Sequence, residues 1–138
     1  MTYAYQFYNF AFFCCVIFSL RSGVEGDLLV RWMIYGANGY TGRLVVDQAV
    51  RQGFKPVLAG RNGREIRALA RQYGLSFRVF TCDRDSIDLQ DIDLVLHCAG
   101  PFINTFYPML QACLKSSCHY LDITGEIAVF EKCAQMSS

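Results

Sequence analysis

No charge of either sign dominates this chain. Lys and Arg number 13 against 12 Asp and Glu, a formal net charge of +1 that gives no reason to propose nucleic acid as a partner. No two of the seven cysteines have CxxC spacing, which removes the sequence signature of a zinc or redox site. Cys82, Cys98, Cys113, Cys118 and Cys133 are instead scattered through apparent strands and helices, as buried reduced thiols of a cytosolic α/β protein would be. Cys118-His119 has no further ligands near it in sequence, so packing is its expected role and no metal is expected. No Lys or Arg precedes the apolar run Tyr3 to Leu20, so a secretory signal is poorly supported.

What is present divides at about residue 28. Residues 1–27 form an apolar, aromatic extension whose run from Tyr3 to Leu20 reaches the lower edge of what crosses a bilayer. Three readings of it stand: a membrane anchor, an extra helix packed on the domain, or a wrongly chosen start upstream of the mature protein. Residues 28–138 have the length of one ordinary domain with a real core. They open on Trp32-Met33-Ile34-Tyr35, an apolar strand, followed by Gly36-Ala37-Asn38-Gly39-Tyr40-Thr41-Gly42 and a helix that begins near Thr41. Gly36 suits a sharp turn off the strand, Gly39 a close approach by a pyrophosphate, and Gly42 the packing of the helix on its strand. Free N–H groups and the positive dipole at the helix start would hold the phosphates.

Further elements follow at regular spacing. Leu28 to Tyr35 is the expected first strand, and Thr41 to Gln52 the first helix, with Leu44, Val45, Ala49 and Gln48 facing inward and Gly53 as a left-handed cap. Lys55 to Ala59 is a second strand, and Arg64 to Tyr73 a second helix with Ile66, Leu69 and Ala70 on one face, closed by Gly74. Leu75 to Thr81 alternates as a third strand. A short helical turn at Ser86 to Leu89 precedes the fourth strand, Asp93 to Cys98. The third helix is expected over Tyr107 to Ser116 with Pro108 in its first turn. Tyr120 to Asp122 is a fifth strand, and Glu126 to Met136 a last helix. Strands alternating with helices predict a Rossmann-type α/β fold: a doubly wound parallel sheet of order 3-2-1-4-5 in three α/β/α layers. Ligands of such sheets bind beyond the carboxyl ends of the strands, where the order reverses. That location makes the glycine turn a dinucleotide site.

The end of the second strand chooses the cofactor. NAD-selective sites place Asp or Glu there for the ribose hydroxyls, whereas this chain has Ala59-Gly60-Arg61 and no carboxylate. Arg61 can grip a 2′-phosphate with its planar fork, so NADP is the expected cofactor. Asp83, after the third strand, is either a neighbour of the adenine or a cap for the turn at Ser86 to Leu89.

These stretches resemble the NADP-binding domain of the saccharopine dehydrogenase-like family, which includes saccharopine reductases and trans-acting enoyl reductases. Gly36 to Gly42, Leu58-Ala59-Gly60-Arg61-Asn62, Cys98-Ala99-Gly100-Pro101-Phe102 and Cys118 to Glu126 carry the resemblance, over residues 30 to 136. With the glycine turn, Arg61 and Asp83 read from the residues themselves, the expected cofactor site is Gly36, Asn38, Gly39, Tyr40, Thr41, Gly42, Arg61, Asn62, Asp83, Ala99, Gly100 and Pro101. The loop Ala99-Gly100-Pro101 would run beside the pyrophosphate and nicotinamide ribose, and Asp122 to Glu126 towards the nicotinamide and substrate cleft. The resemblance implies both placements, and further hydride transfer with NADPH as donor or NADP⁺ as acceptor.

Members of that family are considerably longer, with a second α+β domain that binds substrate and often mediates dimerisation. The expectation here is a cofactor half without its substrate domain: an oxidoreductase that is truncated or completed by a second polypeptide, or a dinucleotide-binding module without catalysis. Tyr120, Asp122, Thr124 and Glu126 have no partner in sequence that marks an acid or base. His97 lies in an apolar strand and reads as a satisfied core histidine, and His119 is weak for the same reason. No catalytic residue is named. The expected location is the cytoplasm, or a membrane through Tyr3 to Leu20.

Overall fold

Met33 and Ile34 are consecutive and both fully buried, which in a strand requires cover on both faces. They belong to β1 (Trp32–Tyr35) in a computed structural model that describes residues 30–124 together with 131, 132, 134 and 135. The remaining elements are α1 (Tyr40–Arg51), β2 (Val57–Gly60), α2 (Gly63–Tyr73), β3 (Phe77–Val79), β4 (Leu94–His97), α3 (Phe102–Lys115) and β5 (His119–Asp122). The five strands form one sheet in the order β3-β2-β1-β4-β5, and every pairing is parallel. The expected strand order and fold class are therefore the observed ones.

The core lies in two layers, one on each side of the sheet. Trp32, Ile34, Leu58 and Leu96 meet Val45, Val46 and Ala49 of α1 and Ile66, Leu69 and Ala70 of α2. Met33, Tyr35, Val57, Ala59 and Val95 face the other way onto Met109 and Cys113 of α3. Alternation along each strand thus separates the layers, and the helix spacing of three and four supplies the matching stripes.

Several local expectations need correction. Leu44 is 47% exposed, and Val46 takes the inward place beside Val45. The stripe runs through Gly42, Val45, Val46 and Ala49, which leaves Leu44 on the solvent side. β3 is only three residues long and lies at the sheet edge. No helix forms at Ser86 to Leu89. That stretch is instead pinned to β3 by Arg78, whose Nη1 donates to the Asp88 carbonyl and carboxylate at 3.0 and 3.2 Å and whose Nη2 donates to the Gln90 carbonyl at 2.6 Å. α3 starts five residues before the expected Tyr107, so Pro108 stands in its second turn rather than its first. Gly53 and Gly74 do close their helices with φ of 85° and 65°. The extension at 1–27 lies outside the described residues, as does most of the expected last helix; residues 131, 132, 134 and 135 are helical. Among the described residues no helix is long and apolar enough to cross a membrane.

Candidate functional site

The turn after β1 is built by contacts that exclude side chains. Gly36 has φ of +79°, and a Cβ there would lie 2.8 Å from both the amide nitrogen and the Cβ of Ala99. A Cβ on Gly42 would lie 2.1 Å from the Gly36 carbonyl oxygen. Gly39 is different: its φ is −72°, and its Cβ would stand 3.4 Å from that oxygen, close to an ordinary contact. Packing within the chain therefore demands glycine at 36 and 42 but hardly at 39. Gly39 is left with open space beside it, enough for an outside group to approach.

The helix starts add a second part. α1 begins at Gly39 with no side-chain cap and no acidic residue in its first turn. α3 begins at Pro101, likewise with no side-chain cap and no acidic first turn. α2, by contrast, is capped by the Asn62 side chain, which accepts from the Glu65 amide at 3.3 Å. Tyr40, Thr41 and Gly42 occupy the open first turn of α1, where backbone N–H groups and the helix dipole favour an anion. The Tyr40 ring is 85% exposed there.

At the carboxyl end of β2, Arg61 is exposed and makes no hydrogen bond or ion pair with the described residues. Its charge is felt at the Tyr35 hydroxyl, whose acidity burial suppresses and Arg61 partly restores. Asn38 and Asn62 are already occupied. The Asn38 side-chain amide donates to Glu65 at 2.8 Å, and the Asn38 backbone carbonyl accepts from Arg43 Nε at 2.9 Å. Arg43 also stands 3.9 Å from the Glu65 carboxylate, in an exposed pair worth little by itself. Together these contacts strap the glycine turn to the start of α2. Asp83 is exposed and accepts a hydrogen bond from Thr81 Oγ1, while its backbone carbonyl holds the Ser86 amide. With no helix at Ser86 to Leu89, the capping role considered for Asp83 falls away.

The loop after β4 completes the crevice. Ala99 touches Gly36 across the β1–β4 pair, the point at which the strand order reverses. Gly100 and Pro101, joined by a cis peptide bond, lead directly into α3. Beneath the loop, His97 is fully buried among Tyr35, Phe102 and Tyr120, and burial pushes its pKa down to about 4. It is not the satisfied core histidine expected from sequence. Its Nε2 meets Thr105 Oγ1 at 2.9 Å, while Nδ1 has no partner among the described residues. Burial also raises the Cys82 thiol to about 11, protonated as its donation to the Thr105 carbonyl at 3.4 Å requires. On β5, Tyr120 donates to Asp122 Oδ2 at 2.7 Å. Glu126 lies outside the described residues.

The structure thus brings Gly36 to Gly42, Arg61, Asn62 and the Ala99-Gly100-Pro101 loop to one end of the sheet. It adds Arg43, Glu65 and Thr105, which sequence reasoning passed over. Arg43 and Glu65 gave the signal of opposite charges, but on different helices. Thr105 was hidden because α3 was expected to start after it.

A parallel sheet with this order and a glycine turn at its reversal point defines a dinucleotide-binding domain of the Rossmann type. The residues fit such a ligand, because the turn leaves room at Gly39 and an open helix start beside it. Residues 32–136 match the family model of the saccharopine dehydrogenase NADP binding domain, and the chain belongs to that family. Its cofactor is accordingly NADP. A probable mitochondrial saccharopine dehydrogenase-like oxidoreductase of Arabidopsis thaliana is 33% identical over 119 residues, which cover 72% of this chain and 26% of that protein. The trans-acting enoyl reductase of Mycobacterium tuberculosis is 27% identical over 105 residues, covering 69% of this chain and 25% of its own length. Apo saccharopine dehydrogenase (L-Glu forming) from Saccharomyces cerevisiae superposes with a TM-score of 0.59 at 18% identity, over 70% of this chain and 22% of that one, a likeness of fold. The chain thus spans about a quarter of the length of the curated relatives it matches.

Proposed function

We propose that residues 28–138 are one cofactor-binding unit that holds NADP(H) across the β1–β4 crevice and serves hydride transfer in a saccharopine dehydrogenase-like oxidoreductase. In this reading Gly36, Asn38, Gly39, Tyr40, Thr41 and Gly42 receive the pyrophosphate. Arg61 grips the 2′-phosphate with Asn62 beside it, Asp83 borders the adenine, and Ala99, Gly100 and Pro101 line the nicotinamide ribose. The observation that carries it is an exposed Arg61, without an ion pair among the described residues, at the end of a strand that offers no carboxylate. A cytoplasmic location belongs to the same reading and is supported by the free thiols of Cys82, Cys98, Cys113 and Cys118.

Titration of the full chain by NADPH fluorescence tests the site. NADPH is expected to bind more tightly than NADH by about ten- to a hundredfold, the worth of one charge-assisted contact. Arg61→Ala should remove that preference by weakening NADPH alone. Equal binding of the two by the wild type overturns the role of Arg61, and binding of neither overturns the site.

A further inference from the structure

Thr105 has one hydroxyl hydrogen and three polar neighbours. Its Oγ1 lies 2.8 Å from the Ala99 carbonyl oxygen, 3.2 Å from that of Pro101 and 2.9 Å from His97 Nε2. Carbonyl oxygens only accept, so the hydroxyl hydrogen is directed to them and cannot serve His97. The contact with His97 is then Nε2–H donating to Oγ1, which fixes the tautomer and leaves Nδ1 as a bare acceptor. Among the described residues that acceptor is buried and unpaired. A phenylalanine would fill the same aromatic nest of Tyr35, Phe102 and Tyr120 without stranding an acceptor. Packing alone therefore does not account for a histidine here.

The recipient of this arrangement is the loop. A threonine bonding to the carbonyl four residues back, here Pro101, is a common helical habit. The bond to Ala99 lies outside the helix and holds the residue that abuts Gly36. Dinucleotides lie across the reversal point with the adenine ribose over the second strand, which leaves the nicotinamide half over β4 and this loop.

We propose that His97 and Thr105 are positioning residues that hold the Ala99-Gly100-Pro101 loop against Gly36 and so shape the seat of the nicotinamide half of the cofactor. This rests on the NADP(H) reading above. The relay runs from His97 Nε2–H to Thr105 Oγ1 and on to the two loop carbonyls, with no group of either residue directed at the cofactor itself.

The test compares two ligands on the full chain: NADPH, which spans the whole crevice, and adenosine 2′,5′-bisphosphate, which reaches only its adenine side. Thr105→Val should weaken NADPH about tenfold, on the scale of one or two neutral hydrogen bonds, and leave the bisphosphate within about twofold. Thr105→Ser, which keeps the hydroxyl, should restore NADPH binding. Thermal melts of each variant keep loss of fold apart from loss of the loop. If Thr105→Val gives no cooperative melt, His97→Phe breaks the relay from its other end and should show the same contrast. Weakening of both ligands alike, or of neither, overturns the proposal while the cofactor reading stands. A wild-type chain that binds neither ligand overturns both.

Discussion

A methyl group added at Gly42 would press on the Gly36 carbonyl oxygen at 2.1 Å, whereas one added at Gly39 would stand 3.4 Å from the same atom. The two substitutions should therefore separate folding from binding. Gly42→Ala is expected to lower stability by at least about 1–3 kcal/mol, the cost of overpacking against backbone that cannot yield. Gly39→Ala should cost less than about 1 kcal/mol, the difference between glycine and alanine at a helix N-cap, yet weaken NADPH strongly by filling the approach to the pyrophosphate. Chemical denaturation and NADPH titration of both variants check this, and equal stability losses would contradict it. The sequence shows three glycines in the same pattern. Which two answer to backbone contacts is a matter of coordinates, because the Gly42 contact is made with the turn that precedes it.

Helix ends were legible where a residue type has one strong physical use. Gly53 and Gly74 were readable as left-handed closures, and Ile66, Leu69 and Ala70 as the buried stripe of α2. Proline misled, because it is welcome both just before a helix and within its first turn. The expected helix begins at Tyr107 with Pro108 in its first turn, whereas Phe102, Phe106, Met109, Leu110 and Cys113 form a buried stripe with helical spacing that begins after Pro101. That shift hid Thr105. Asn62 sits at the opposite extreme, since its oxygen closes the first turn of α2 on the Glu65 amide. Asn62→Ala should lower the unfolding free energy by about 1 kcal/mol, and Asn62→Asp should retain most of it. Thermal melts of the two variants decide whether the cap or a cofactor contact explains this residue's place, since a pure ligand contact would leave the apo melt unchanged.

Acid sensitivity is a property of the whole cooperative unit, and the buried His97 contributes to it. The folded chain holds this imidazole at about 4 against 6.5 when exposed. The unfolded state therefore binds the extra proton first. Stability from this group is fully present above pH 6.5 and is lost as pH falls towards 4, by up to about 3 kcal/mol. Urea midpoints measured across that window should fall for the wild type and fall less for His97→Phe. The sheet order and both core layers were legible in the alternation of apolar runs, but the location of His97 was legible only as burial. Its bond to Thr105 joins β4 to α3, and no periodicity reports a contact of that kind.

The pairing of β1 with β4 has a kinetic side as well. Arg31 donates its amide to the Asp93 carboxylate across 62 positions of chain, at the entrance to that pair. β2 and β3 are recruited through a single intervening helix each, whereas β4 can dock on β1 only after a long closure that is slow for entropic reasons. The crevice lies on the strand pair whose closure costs the most chain entropy. A chain arrested with β1, β2 and β3 assembled would have its glycine turn and Arg61 in place but no Ala99 against Gly36. It would hold one end of the cofactor before it could hold the other.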